Sequence, residues 1–407
     1  MRILLITQLF QPEPNHLKGL AFAKELVRMG HEVEILTGFP NYPGGKIYPG
    51  YRQRWFQRET IEGIPIIRVP LYPDHSSSGF RRIICYLSLS LTACIPGLFL
   101  VSRPDVVHVY QGPATLALPA IVLHLLRGVP YVLDVQDLWP ESVTSSGMLN
   151  IPGLTSFLNM WCNMAHRLAA KIVVLSPGYK RMLTAKGVEA TKIDVVYNWC
   201  DESQMFALAG EKMTDEQFGL AGHFTIVYAG NLGRVQALDA VLDAASLLHE
   251  EHPDILFVFV GDGVDADRLK GITSSKNLNN VRFIPRQSAS EIGVILERAD
   301  ALLIHLRDDS LCRVGIPQKT QAYLAAGRPV IVAVNGDAAD LVVEAQAGVP
   351  CEPEHPASIA AAVNKLYMLS SKEREQMGYN GLAYYNRHLA FAVGVKRMNY
   401  IFKGTAR

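Results

Sequence analysis

The sequence predicts two α/β domains, each a parallel sheet covered by helices, facing one another across a cleft. Three observations lead there. The chain has 407 residues, which at roughly 150 per domain allows two or three folding units. Short β-branched runs alternate with longer stretches of helical period, as in strand–helix–strand units. The alternation then starts afresh after a polar stretch at 201–222. The expected division is therefore 1–200, a linker at 201–222, and 223–385, with a C-terminal helix 386–407 packing back on the first domain.

In chain order, the strands of the first series are ILLIT (3–7), VEILTG (33–38), PIIRVPL (65–71), DVVHVY (105–110), YVLDVQ (131–136), KIVVLS (171–176) and DVVYN (194–198). Leu17, Leu20, Ala21, Lys24 and Val27 follow helical spacing up to Gly30, a residue suited to ending a helix. The second series runs FTIVYAG (224–230), ILFVFVG (255–261), VRFIP (281–285), ALLIHL (301–306) and PVIVAV (329–334). Helices are expected between them at 236–250, 290–298 and 317–326. Near-continuous apolar strands joined by helices are buried on both faces, which means parallel sheets. From Glu373 to Phe402 the composition is helical, and Tyr384, Tyr385, Phe391, Val395 and Met398 supply a face to bury.

Composition excludes several classes. Lys+Arg number 39 against 38 Asp+Glu, a formal charge of +1, whereas a duplex nucleic-acid binder shows a basic surplus. Charged residues make up 19% and apolar ones 49%, the reverse of a disordered chain. Six scattered cysteines include no C-x-x-C, so they read as reduced thiols rather than zinc ligands or a redox pair. The N-terminus leads into Pro12-Glu13-Pro14, which does not suit a secretion signal. Ile83 to Val101 is an uncharged run of 19 residues flanked by Arg81-Arg82 and Arg103. It is about long enough to span a bilayer, but a span would split one α/β domain across the membrane. A helix lying in the membrane interface is the expectation, with a buried core helix as the alternative.

Open parallel sheets bind ligands beyond the carboxyl ends of their strands. FTIVYAG runs into Gly230-Asn231-Leu232-Gly233-Arg234, with a helix expected from about Val235. Glycines there let backbone N–H groups approach an anion, and a helix N-terminus adds about half a positive charge. Tight strand-to-helix turns also favour glycine for its own sake; Asn231 and Arg234 tip the balance to phosphate. A second anchor is Gly315-Ile316-Pro317-Gln318-Lys319. Pro317 suits a first helical position, which puts Lys319 in the first turn, where the dipole disfavours a cation by about 0.3–1 kcal/mol. An anion held jointly would offset this; a solvated lysine is the alternative. Together the loops suit a diphosphate.

In the first domain, YVLDVQ leads to Asp137-Leu138-Trp139-Pro140-Glu141. Carboxylates and an indole face suit a hydroxyl-rich substrate, while capping by Asp137 and burial of Trp139 are the plain alternative. His108 and Tyr110 end a strand and face either a ligand or the core. Asp308-Asp309 read as loop carboxylates, with no further oxygen ligands to make a metal site.

Four segments together resemble a known family: GHEVEILTGFPNYPGGKIYPGY (30–51), DLWPES (137–142), AGNLG with Gln236 (229–236), and IPQKTQAYLAAGRPV (316–330). They are similar to the retaining GT-B glycosyltransferases of family 4, in the branch that builds bacterial O-antigen, capsule and colanic-acid-like polysaccharides. The similarity covers nearly the whole chain. It implies the GT-B fold of two Rossmann-like domains, with the acceptor on 1–200 and a nucleotide sugar on 223–385. Transfer would need no metal or cofactor. Donor contacts would come from Gly230, Asn231, Gly233, Arg234, Gln236, Gly263, Arg286, Gln318 and Lys319. Acceptor contacts would come from Asn41, Tyr42, His108, Tyr110 and Trp139. Lys319, Asp137 and Glu141 would stand nearest the chemistry. Family members usually carry basic residues where this chain has Asn231 and Gln236, a pair of glutamates where it has Val314 and Ala322, and a histidine where it has Tyr110. Retention without an evident nucleophile implies front-face attack.

The resemblance further implies a UDP-linked, N-acetylated hexose as donor and a lipid-diphosphate-linked saccharide as acceptor. That places the protein in the cytoplasm, peripheral on the inner face of the cell membrane through 81–103. Two rivals differ in kind. A nucleotide-sugar epimerase or dehydrogenase would want G-x-G-x-x-G after the first strand, where the sequence reads TQLFQPEPNHLKG. A two-lobed sugar-capture protein would not need two phosphate-type helix starts.

Overall fold

The computed structural model describes residues 1–76, 78–145, 153–208 and 220–406. It forms two compact units, one of Met1–Tyr197 with Val395–Arg407, the other of Asn198–Gly394. Residues 209–219, half of the expected linker, lie outside the described residues.

The first unit holds β1 (Arg2–Thr7), β2 (Glu32–Gly38), β3 (Gln57–Ile61), β4 (Ile64–Val69), β5 (Val106–Gln111), β6 (Tyr131–Val135), β7 (Lys171–Val174) and β8 (Ile193–Val195). Their order in the sheet is β3-β4-β2-β1-β5-β6-β7-β8. Every pair is parallel except β3 with β4. The sequence reading missed β3 because its residues alternate between half-buried and exposed, giving no apolar run. Its turn is a two-residue hairpin with Glu62 at φ 46° and Gly63 at φ 84°, the primed geometry that matches strand twist.

Helices α1 (Leu20–Arg28), α2 (Gly79–Phe99), α3 (Ala117–Arg127), α4 (Glu141–Ser145) and α5 (Leu154–Leu168) belong to this unit. Pro96 and Gly97 fall within the apolar run, yet α2 continues through both, and they are buried. A Cβ on Gly97 would come within 3.1 Å of Leu36, so the small residue lets the helix lie close on β2.

The second unit holds β9 (Phe224–Ala229), β10 (Ile255–Val260), β11 (Val281–Ile284), β12 (Ala301–His305), β13 (Val330–Ala333) and β14 (Gly348–Pro350), in the order β11-β10-β9-β12-β13-β14, all parallel. Serine–glutamate capping boxes start helices Ala289–Arg298 and Ser371–His388. The C-terminal stretch, expected as one helix, is two: Ser371–His388 and Phe391–Thr405. Glu202 explains the break, since its Oε1 accepts from the Phe391 N–H at 2.8 Å and from the Tyr385 hydroxyl at 2.7 Å.

Candidate functional site

In the second unit the strand order reverses between β9 and β12, the point at which an open sheet leaves a crevice beyond its strand ends. The loops after those two strands are joined. Arg307 N–H donates to the Val235 carbonyl at 2.9 Å, and His305 Nδ1 lies 2.7 Å from the Gln236 carbonyl. His305 Nε2 accepts from the Glu354 N–H at 3.0 Å. With one ring nitrogen accepting, the imidazole is neutral and Nδ1 is the donor; burial pushes its pKa down in the same sense.

The glycines of the expected anion turn are required by packing. Gly230 and Gly261 have φ of 139° and 144°. A Cβ on Gly261 would sit 2.0 Å from the Gly230 carbonyl oxygen, and one on Gly263 would sit 2.3 Å from that of Leu232. The turn differs from the expectation in two respects. Its N–H groups are not all open to a ligand: Gly230 donates to the Val260 carbonyl at 2.9 Å, Leu232 to that of Asp262 at 2.9 Å, and Gly233 to Gln236 Oε1 at 3.1 Å. The same Oε1 accepts from Asn231 Nδ2 at 3.3 Å. Gln236, expected as a donor contact, is thus a clasp that closes the turn. The helix also starts later, at Asp239, after a 3-10 turn Arg234–Gln236 and Ala237 at φ 44°. Arg234 projects exposed from this turn, with no ion pair among the described residues.

Lys319 occupies the first turn of helix Gln318–Ala325, with Pro317 as its N-cap rather than its first residue. Its Nζ is buried and has no hydrogen-bond partner among the described residues. It rests 3.5 Å from the centroid of the Tyr228 ring and 3.5 Å from where a Gly230 Cβ would be. Desolvation pulls its pKa well below the ordinary lysine value. One turn on, Tyr323 accepts from the Ala229 N–H at 2.7 Å, tying the helix to the end of β9. The geometry brings together a cation lacking a counter-ion among the described residues, a glycine turn and the exposed Arg234. Gln318 and Arg286 are also exposed.

The expected acceptor residues fare differently. His108 is 1% exposed. Its Nε2 lies 3.1 Å from Asp134 Oδ2, and its ring is packed between Phe22 and Phe402, so it is a core residue and no acceptor contact. Burial raises Asp134, but Lys18 at 3.8 Å and His108 outweigh it and hold the carboxyl below its usual range. Glu141 ion-pairs with Lys186 at 2.5 Å, and its other oxygen is buried without a hydrogen-bond partner among the described residues. Trp139 is 8% exposed, packed among Val143, Leu158 and Cys162 with Tyr86 against its edge; it offers no open stacking face. Asn41 is buried as well. Its Nδ2 donates to the Phe39 carbonyl at 3.0 Å and its Oδ1 meets His75 Nε2 at 3.1 Å, so it builds its loop. Tyr42 is 37% exposed and Tyr110 half-buried. Asp137 keeps an exposed surface, yet the surrounding protein pushes its pKa up, against a counter-pull from Arg82.

Sequence reasoning missed Glu13, Tyr228 and His305. Glu13 is buried and accepts from the N–H groups of Asn41 and Tyr42 at 2.7 and 2.8 Å. Only the oddity of an acid between two prolines signalled it. Asp308 and Asp309, expected as loop carboxylates, pair with Arg313 and Arg307 at 2.7 and 2.5 Å. A cavity of about 850 Å³ is lined by Arg298, Asp300, Arg328, Pro329 and Arg374. It opens at the amino ends of β12 and β13, the wrong end of the sheet for a ligand site of this type.

Residues 20–199 match the model of a glycosyl transferase 4-like domain, and residues 212–383 that of glycosyl transferases group 1. A glycosyltransferase designated WbjE, from Pseudomonas aeruginosa, is 24% identical over 65% of this chain and 66% of its own length, just under two thirds of that protein. WcaI of Escherichia coli, a glycosyl transferase assigned to colanic acid biosynthesis, is 26% identical over 75% of this chain and 76% of its own. Among solved structures, HepE of Anabaena, crystallised with UDP, superposes with a TM-score of 0.72 at 14% identity, covering 99% of this chain and 100% of that one. The likeness to HepE is one of fold: two parallel α/β sheets in the GT-B arrangement.

Proposed function

The chain is a nucleotide-sugar-dependent glycosyltransferase of group 1, both of whose halves fit the models of such enzymes, and from that premise we propose that it moves an N-acetylated hexose from UDP to a lipid-diphosphate-linked saccharide in the assembly of a bacterial surface polysaccharide. One observation carries the donor half: the buried ammonium of Lys319 beside the Gly230 turn, which has no hydrogen-bond partner or counter-ion among the described residues. A desolvated cation without a counter-ion is destabilising alone and is stabilised by an anion. UDP in the HepE crystals supports the choice of nucleotide, and the colanic acid assignment of WcaI supports the choice of pathway. A thermal-shift panel of UDP, GDP and ADP tests it, because a ligand that binds only the native form raises apparent stability by RT ln(1 + [L]/Kd). Stabilisation by UDP above the other two is expected; no stabilisation by any nucleotide would defeat the donor site.

Lys319, assisted by Arg234, would neutralise charge as it builds on the departing diphosphate. The acceptor hydroxyl attacks the anomeric carbon on the face from which the diphosphate leaves, and its proton passes to a departing phosphate oxygen. Configuration is thereby retained without a covalent sugar–enzyme bond. Mass spectrometry of the enzyme quenched during turnover should show no glycosyl adduct, and an adduct on Asp137 would reverse this mechanism.

The membrane role expected of 81–103 rests on α2. The helix is long and apolar enough to cross a bilayer, yet Cys85, Leu89, Ala93 and Gly97 face inward while Phe80, Leu91, Ile95 and Phe99 are 61–70% exposed. A helix with one face in the core and the other bare suits an interface, lying along the surface of the inner membrane from the cytoplasmic side. Flotation with vesicles containing phosphatidylglycerol should recover the native chain and lose Ile95→Glu, with UDP binding kept. Equal flotation of both would remove the interfacial role.

A further inference from the structure

The Lys319 ammonium rests on a tyrosine ring. Its Nζ stands 3.5 Å from the centre of the Tyr228 ring and 3.5 Å from where a Cβ on Gly230 would be. No acceptor among the described residues takes a hydrogen bond from it. The ring itself is firmly held. Tyr228 is 1% exposed, and the register of the sheet sets it opposite Phe259 on β10, which in turn stands opposite Phe283 on β11. Residues paired across parallel strands share a face of the sheet, so the three aromatic side chains form a row. Their ring centres lie 6.0 Å apart from Tyr228 to Phe259 and 5.3 Å apart from Phe259 to Phe283. The Tyr228 hydroxyl donates to the Asn231 carbonyl at 2.8 Å, which ties the end of the ring to the glycine turn.

A ring face attracts a cation through its quadrupole, and more strongly where water is excluded. A carboxylate in the same place would neutralise the ammonium and compete with an incoming anion. The ring does neither, and it leaves N–H groups of the ammonium unspent. Lysine carries its charge on a flexible four-carbon stem, and a nitrogen already held where the ligand needs it spares part of the ordering cost of binding. We propose that the Tyr228 ring is the positioning group for Lys319, holding its ammonium against the Gly230 turn with N–H groups open to the diphosphate of the nucleotide sugar. This deepens the donor-site reading and rests on it for the identity of the anion.

The test is a double-mutant cycle on the full chain, read as UDP affinity by calorimetry. Tyr228→Leu should weaken UDP about tenfold in the native background and not at all beside Lys319→Met, since a ring that acts through the ammonium has nothing to act on once the ammonium is gone. An equal loss in both backgrounds would make Tyr228 a packing residue of the turn, and no loss in either would deny it a part in binding; each overturns the proposal. Tyr228→Phe keeps the ring and gives up one neutral hydrogen bond, so it should bind UDP within about threefold of the native chain. A loss as large as that of leucine would move the effect to the hydroxyl and overturn the role of the ring. Should Tyr228→Leu not fold, pentafluorophenylalanine in place of Tyr228 decides, because it keeps the shape of phenylalanine and reverses the polarity of the ring face. Affinity equal to that of Tyr228→Phe would then overturn the contact between ring and cation. A second cycle needs no nucleotide: urea midpoints of the empty chain should be non-additive for Tyr228→Leu and Lys319→Met, and additive ones would overturn the contact. Failure of the native chain to bind UDP would sink the donor reading, while the urea cycle still decides whether the ring holds the ammonium.

Discussion

With its ammonium desolvated against Tyr228, Lys319 gives up its proton more readily than an ordinary lysine. An arriving diphosphate reverses that, so between the lowered and the ordinary pKa, donor binding takes up a proton. Calorimetry of UDP binding in two buffers of different ionisation enthalpy should therefore give different heats, and Lys319→Met should give equal ones. The sign for stability follows from the same shift. The folded empty state binds fewer protons than the unfolded chain in that window, so stability rises with pH across it. Lys319→Ala should lower kcat/KM about ten- to hundredfold, the loss of one charge-assisted hydrogen bond of about 1.5–3 kcal/mol; unchanged turnover would refute the assignment. Lys319 was legible in the sequence because a cation in a helix's first turn behind Pro317 is a local anomaly. His305 was not, since its meaning depends on what stands opposite it: the Gln236 carbonyl and the Glu354 N–H. His108 misled because a strand-end histidine reads the same whether it faces a ligand or, as here, Asp134 and two aromatic rings.

At the level of elements, the donor turn is fixed by close backbone approach rather than by side chains. Gly261→Ala would place a methyl 2.0 Å from the Gly230 carbonyl in a backbone region that L-residues avoid. The strain is about 1–3 kcal/mol before the clash is counted. UDP affinity should fall with the melting temperature, at about 2–4 °C per kcal/mol for a unit of this size. A variant that melts and binds like the native chain would show that the turn tolerates a side chain. The parallel strands were legible because continuous apolar runs are what two-sided burial requires. Strand β3 was not, for its pairing with β4 comes through a two-residue turn and leaves alternate residues in solvent. The split of the C-terminal stretch was equally hidden. The cap that starts its second helix is Glu202, some 190 residues upstream.

Across the whole molecule, buried neutral histidines set the acid limit. Burial lowers His166 to about 4, and His305 and His108 move the same way. A histidine whose folded pKa is depressed contributes stability that is complete above its unfolded value near 6.5 and is lost as pH falls through the folded one. For His166 the loss is about 3 kcal/mol by pH 4. Urea midpoints should fall between pH 7 and pH 4.5, and His166→Gln should flatten part of that slope; an unchanged slope would exclude His166. The GT-B architecture was legible at this scale because the strand–helix alternation occurs twice. Less visible was where the chain passes between units. It leaves the first after Tyr197 and returns at Val395, inside helix Phe391–Thr405, whose Phe402 closes over His108 with 5.5 Å between the rings. An engineer exchanging donor halves between relatives must therefore cut through a continuous helix, where register matters as much as length. A single inserted residue would rotate everything beyond the splice by about 100°, and the aromatic plug would swing off the imidazole it covers.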